Sequence, residues 1–224
     1  SNRIAYIGSS NTDAGKQAGE IALKALPNGA KCMGFVGLPG ADNARERIEG
    51  MKEAIKGSKI ELVDVRGDDI DQTRAKRNVE DTITARPEIN CMVGFYSYNT
   101  PRIYEALKEA GKIGKVTIIG FDEDPITLGG VKDGTIVGTV VQQPYEWGYQ
   151  GMKDLAKTLG IPVRPLESIE EVVRNADIAI GGTTRTDIVS REPWVRPGAT
   201  FVSLARREMD PAGWAQFDKV VIDD

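Results

Sequence analysis

A chain of 224 residues, 40% hydrophobic and 28% charged, has the composition of a folded globular protein and the length of one large α/β domain or two small ones. Its 29 basic and 33 acidic residues give a net charge of -4 with no basic run of five or more, which argues against a nucleic-acid partner. The absence of any histidine excludes Ser-His-Asp and Cys-His nucleophile devices, HExxH zinc sites and imidazole proton shuttles, and leaves any acid-base step to Asp, Glu, Lys or Tyr.

In chain order, runs rich in Val, Ile and aromatics and bounded by Gly, Pro or Asp predict strands over 3–8, 31–37, 59–65, 90–96, 115–121 and 135–141. Between them, apolar residues spaced three and four apart predict helices over 13–26, 42–55, 71–86, 100–110 and 146–159, several opening on Asp or a Thr-Pro pair. Such strict alternation with short connections implies α/β architecture, a doubly wound parallel sheet with helices on both faces. Gly37 and Gly40 do not make a phosphate loop, because no Gly-Lys-Ser/Thr follows and no GxGxxG occurs; a tight turn before the helix at 42 accounts for them. Cys32 and Cys91, each within an apolar run, are expected to be buried free thiols. No stretch approaches the roughly 18 consecutive apolar residues of a membrane span, and the start carries no signal core, so no membrane insertion is expected. A signal peptide already removed would leave no trace.

Beyond the Gly160-Ile161-Pro162 breaker the alternation continues, with a helix predicted over 168–175, strands over 177–183 and 200–204, a helix over 211–217 and a strand over 219–223. The basic residues change in kind: positions 1–160 hold 13 Lys and 8 Arg, positions 161–224 hold 1 Lys and 7 Arg, and two of three tryptophans, Trp194 and Trp214, fall in the shorter part. This shift predicts two segments of separate ancestry, 1–160 and 161–224, against the plainer alternative of fluctuation within one domain.

The blocks SSNTDAGKQAGE, GLPGADNARERIEGMKEAI, GDDIDQTRAKRNVEDTI, GFYSYNTPRIYEALKEAG, IIGFDEDPITLGGVKDG and GTVVQQPYEWG, in that order and spacing, resemble the C-terminal lobe of ribose-type periplasmic sugar-binding proteins (periplasmic binding protein-like I) over residues 1–160. The resemblance implies a lobe that closes with a preceding first lobe, without counterpart here, around one sugar and delivers it to an ABC transporter or chemoreceptor. It assigns ligand contacts to Arg45, Asn99, Asp122 and Gln142. Each follows a different predicted strand, where ligands of open parallel sheets bind, and together they offer the forked donor, amides and acceptor pair that vicinal hydroxyls need. Taken singly, each also reads as a helix cap or solvated loop residue. Ile70 stands where that family often places an aromatic that stacks on the sugar. Tyr96, Tyr98, Tyr104 and Tyr145 read either as cleft lining or as packing at the sheet end.

The stretch from Ser168 to Asp224 is similar to the later half of the Rossmann domain in the ornithine cyclodeaminase/μ-crystallin family, through its NADI strand, the Thr183-Thr184 pair, the WVRPGATF element, the Glu208-x-Asp210 helix start and the DKVVIDD strand. That family binds NAD(P), but its glycine-rich phosphate turn, ribose-binding acid and substrate platform lie upstream and have no counterpart here. Thr183 and Thr184, with Leu204, are therefore expected to be vestigial, with no cofactor bound, since a nucleotide without its pyrophosphate cradle loses its main anchor. Arg191 and Arg196 read as solvated or capping residues. Half a domain of this size cannot stabilise itself, which predicts docking on the first segment or a homodimer through residues 161–224. The combined reading is a non-catalytic, engineered or recombined chimera with a residual, weak carbohydrate half-site and a small sugar as ligand. The opening Ser-Asn fits a tag remnant or a trimmed native start equally. The alternatives are an NAD(P)-dependent ornithine cyclodeaminase-like enzyme and a designed fold with no ligand. By resemblance, the first segment points to the periplasm and the second to the cytoplasm.

Overall fold

Among the residues that the structure describes, alternating β-branched and helical runs resolve into a five-stranded parallel sheet and, further along, a two-stranded one. The computed structural model describes residues 7–160 and, beyond them, 162, 164, 166, 168–181, 190, 191, 194–203, 209–215 and 217. The elements are α1 (Asn11–Ala25), β1 (Ala30–Val36), α2 (Asp42–Ala54), β2 (Ile60–Gly67), α3 (Gln72–Ala85), β3 (Cys91–Gly94), α4 (Asn99–Glu109), β4 (Thr117–Phe121), α5 (Pro125–Asp133), β5 (Gly138–Val140) and α6 (Pro144–Leu159). They continue as α7 (Ile169–Asn175), β6 (Ile178–Gly181), β7 (Thr200–Ser203) and α8 (Pro211–Trp214). The large sheet has the order β2-β1-β3-β4-β5, with every neighbouring pair parallel. Because the order leaves β1 in opposite directions, a topological switch point lies between β1 and β3.

Period-two alternation sends successive strand residues to opposite faces, and here both faces are apolar, as a parallel sheet covered on both sides requires. Cys32 and Val36 of β1, Cys91 and Val93 of β3 and Ile119 of β4 join Ala18 and Ala22 of α1 and Ile48 and Met51 of α2. Met33, Phe35, Met92 and Ile118 point the other way, into Val79 of α3 and Ile103 and Leu107 of α4. Cys32 and Cys91 are register partners across β1 and β3, fully buried and free, as their apolar surroundings predict. The hydrogen bond between them, reinforced by burial, pushes the Cys91 thiol up.

The sequence missed α5. Its segment PITLGGVKD carries two glycines and β-branched residues that weaken the helical pattern, while Asp124 starts it by accepting from the Ile126 N–H at 2.8 Å with Pro125 in the first turn. The predicted strand over 3–8 falls mostly outside the described residues, and the strand over 219–223 and Thr183, Thr184 and Leu204 fall wholly outside them.

Contacts divide the chain into Ser1–Gly151 and Met152–Asp224, with the division inside α6. In the second unit Ser168 caps α7 through the Glu171 N–H, and β6 pairs in parallel with β7 from Ile178↔Thr200 to Gly181↔Ser203. One face of this pair holds buried Ala179 and Phe201, whose ring meets Trp214 edge-on at 6.0 Å. The other face leaves Ile178, Ile180 and Val202 exposed. Arg196 acts as the capping residue that the sequence suggests: it donates to the Ala176 carbonyl at the end of α7 at 3.1 Å and pairs with Asp177. Among the described residues no helix is long and apolar enough to cross a membrane.

Candidate functional site

At their carboxyl ends the five strands of the large sheet hand the chain to short loops leading into helices, so the first polar residues past each strand share one edge. Past β4, Asp122 has a left-handed backbone with φ 63, rare outside glycine. Its N–H donates to the Val140 carbonyl at 2.8 Å, and its carbonyl accepts from the Thr139 hydroxyl at 2.7 Å, tying the turn to β5. Past β5, the Gln142 amide nitrogen donates to the Asp122 carboxylate at 2.7 Å. Two of the sequence-predicted site residues are thus joined directly.

Past β3, Asn99 opens α4 and is 1% exposed. Its side-chain oxygen accepts from the Tyr96 N–H at 3.1 Å, and its nitrogen donates to Asp68 at 2.8 Å. Asp68, the first residue past β2, is fully buried; it also accepts from the Tyr98 hydroxyl at 2.6 Å and the Ile70 N–H at 2.9 Å. Burial, then the hydrogen bond to Asp68 and its charge, pushes the Tyr98 hydroxyl well above the ordinary phenol range. Tyr96 donates its hydroxyl to Asn43 at 3.0 Å. Ile70 is 59% exposed and held at φ 64.

Past β1, the two arginines of α2 part company. Arg45 lies on the exposed side and pairs with Asp42 of its own helix at 2.8 Å. Arg47 is 5% exposed, donates to the Phe95 carbonyl at 2.7 Å and to Asn11 at 3.1 Å, and lies over the Phe121 ring at 4.9 Å and the Tyr96 ring at 5.8 Å. The structure therefore groups Asp122 with Gln142 and Asn99 with Asp68 and Tyr98, and leaves Arg45 at the rim. Sequence reasoning missed Arg47 and Asp68. Arg47 falls on the apolar stripe of Ala44, Ile48 and Met51, a signal legible in the spacing, whereas Asp68 in the run GDDID is indistinguishable from the helix cap that Asp71 supplies. Tyr104 packs into the α3–α4 core cluster with Lys108 above its ring, and Tyr145 is largely exposed.

A groove beside Gln142 is lined by Ser10, Asp13, Gln17, Glu146 and Trp147. The edge therefore presents oriented hydrogen-bonding groups and aromatic faces, and among the described residues no cluster of His, Cys, Asp and Glu could hold a metal.

Residues 1–160 match the family described as Periplasmic binding protein domain. The chain belongs to this family. The ribose import binding protein of Salmonella typhimurium is 31% identical over 156 residues, which cover 70% of this chain and 52% of that protein. A xylose/arabinose-binding protein of Sulfolobus acidocaldarius is 28% identical over 152 residues, 65% of this chain and 37% of that protein. Among solved structures, a glucose-galactose binding protein from Geobacillus stearothermophilus superposes with a TM-score of 0.68 at 28% identity, covering 73% of this chain and 59% of that one. A Burkholderia graminis ABC transporter solute-binding protein in complex with D-arabinose gives 0.66 at 32%, covering 73% and 58%. The chain spans about half the length of the curated ribose import relatives it matches. The family match ends at residue 160, so the likeness drawn for residues 161–224 rests on the sequence alone.

Proposed function

We propose that this chain is a non-catalytic carbohydrate-binding protein whose site lies along the carboxyl edge of the large sheet. The observation that carries this is the Asp122–Gln142 pair, an acceptor and an amide fixed at 2.7 Å beyond adjacent strands, where vicinal hydroxyls can be read together. Asn99 joins it from β3, Arg47 supplies a cation between two aromatic rings, Ile70 offers an exposed apolar contact and Arg45 stands at the rim. Family membership supports the same reading and, with it, a periplasmic location and delivery of the sugar to an ABC transporter or chemoreceptor.

One lobe offers one wall. Each neutral hydrogen bond to a sugar then competes with water and contributes about 0.5 to 1.5 kcal/mol, against association costs of at least several kcal/mol. Calorimetry on the 224-residue chain with D-ribose, D-galactose, D-xylose and D-glucose should give a millimolar constant for at least one sugar, weakened further in Asp122→Ala, with Trp147 beside Gln142 as a fluorescent reporter. No response up to tens of millimolar would favour the ligand-free designed fold.

For residues 161–224 we propose a half-domain of Rossmann type, joined to the sugar-binding lobe as a recombined chimera and bearing no working cofactor site. The parallel β6–β7 pair, preceded by α7 and followed by α8, supports this reading, as does the change in basic residues past residue 160. Its exposed face of Ile178, Ile180 and Val202 supports pairing of two copies, which sedimentation would reveal as a dimer lost in Ile180→Asp. NAD(P)H production from ornithine, proline or alanine would return the cyclodeaminase-like alternative.

A further inference from the structure

Asp68 lies wholly out of water, and its three hydrogen-bond donors, the Tyr98 hydroxyl, the Asn99 amide and the Ile70 N–H, are all neutral. Burying a carboxylate without a cation is unfavourable, so its retention calls for something that an amide or hydroxyl could not do. A carboxylate only accepts, and a side chain with no proton of its own can take one from several neighbours at once. Asp68 also donates its own N–H to the Val36 and Gly37 carbonyls, at 3.1 and 3.2 Å, which ties together the ends of β1 and β2 and the loop past β3.

We propose that Asp68 is the positioning residue of the carbohydrate site, turning the Tyr98 proton and the Asn99 amide nitrogen inward so that this part of the wall presents hydrogen-bond acceptors. The inference rests on the carbohydrate reading above. Having donated its single proton to Asp68, the Tyr98 oxygen has only lone pairs left. The Asn99 oxygen is held in place by the Tyr96 N–H, which fixes the amide against flipping. On the β4–β5 side Gln142 spends an N–H on Asp122 in the same sense. A ligand meeting this wall must bring O–H donors, of which an unsubstituted sugar has one more than its methyl glycoside.

Two features show the arrangement enforced from outside the hydrogen bonds. A Cβ on Gly37 would lie 2.7 Å from the Tyr98 hydroxyl and 2.8 Å from the Tyr96 ring, so both rings seat on bare backbone at that glycine. Asp69 and Ile70 both take left-handed backbone, φ 56 and 64, and Ile70 is β-branched, a conformation that persists only where the surroundings impose it. The Ile70 N–H reaches Asp68 from this strained corner.

The test compares the full chain with Asp68→Asn and with Asp68→Asn combined with Asn99→Asp, using D-ribose and its methyl glycoside as probes and melting temperature as the control. The single variant sets two amide nitrogens against each other, and D-ribose affinity should fall about tenfold or more. The double variant restores a hydrogen bond between positions 68 and 99, so the melting temperature should recover while D-ribose affinity stays low. Recovery of affinity together with melting temperature would overturn the inference in favour of a purely structural Asp68. Unchanged D-ribose binding in Asp68→Asn would overturn this inference alone, and a wild-type preference for the methyl glycoside would do the same. No binding of D-ribose, D-galactose, D-xylose or D-glucose by the wild-type chain would overturn the carbohydrate reading, and this inference with it.

Discussion

Two arginines two positions apart in α2 make opposite investments. Arg45 forms an exposed ion pair with side chains 54% and 82% accessible, a contact worth about 0 to 1 kcal/mol, so Arg45→Ala should leave the melting temperature nearly unchanged. Arg47 is buried between two rings with two hydrogen bonds, and Arg47→Ala should cost about 2 to 4 kcal/mol in chemical denaturation. Equal losses would contradict the placement of the two side chains. Tyr98 gives a pH-dependent prediction. Its folded pKa is raised by burial and by Asp68, so its contribution is complete below the ordinary phenol value of 10.0 and is lost as pH rises through the folded value. Above pH 10 the unfolded state releases its proton first, and the melting temperature of the wild-type chain should fall more steeply than that of Tyr98→Phe. Parallel alkaline limbs would show that the Tyr98–Asp68 bond does not form in solution.

At the scale of elements, the crossing of α1 and α2 depends on two glycines that leave no room for a side chain. A Cβ on Gly15 would lie 2.1 Å from the Arg47 carbonyl oxygen, and one on Gly50 2.1 Å from that of Thr12; both obstacles are backbone and cannot swing away. Gly15→Ala and Gly50→Ala should each destabilise by about 1 to 3 kcal/mol. Gly129 in α5 has open space where a Cβ would go, and there the same substitution should stabilise by about 0.5 to 1 kcal/mol through helix propensity. The central strands β1, β3 and β4 were legible because a parallel sheet buried on both faces writes itself as apolar runs, whereas the edge strand β2, IELVDVRG, was legible from its Val, Ile and Leu content alone. Helices whose first turns carry an Asp or Ser cap were legible within two residues, as at Ser10 and Asp71. The helix α5 was not, because its glycines erase the periodicity that packing then supplies: Gly130 lets Ile136 approach to 2.5 Å of where a Cβ would stand. The same limit applied to the site. Asp122 and Gln142 could be placed past their strands from pattern and resemblance, but the burial of Asp68 depends on its contacts with Tyr98 and Asn99 at the start of α4, a second segment that no local pattern connects to the end of β2.

For the whole molecule, the two sheets differ in how much holds each strand. β1 is paired on both edges, to β2 and β3, and apolar side chains meet it from both faces. Its amides should therefore open only when most of the first unit does. Among the described residues β6 and β7 pair only with each other, and their exposed face carries Ile178, with 63% of its surface accessible, and Ile180, with 67%. A parallel pair with one bare apolar face lacks the second covering layer that such sheets ordinarily require, so its local opening free energy should lie well below that of β1 and β3. Native-state hydrogen exchange on the monomer, at concentrations too low for two copies to pair, should show Ile180 and Val202 amides exchanging at least about a hundredfold faster, relative to their intrinsic rates, than those of Phe35 and Val93, with a shallower dependence on denaturant. Replacing Ile178 and Ile180 by Thr, which keeps β propensity while removing apolar surface, should then cost the monomer little or nothing in stability. Protection at β6 equal to that at β1, lost together with denaturant, would mean that these strands unfold only with the large sheet, and the two units would then be a single cooperative body.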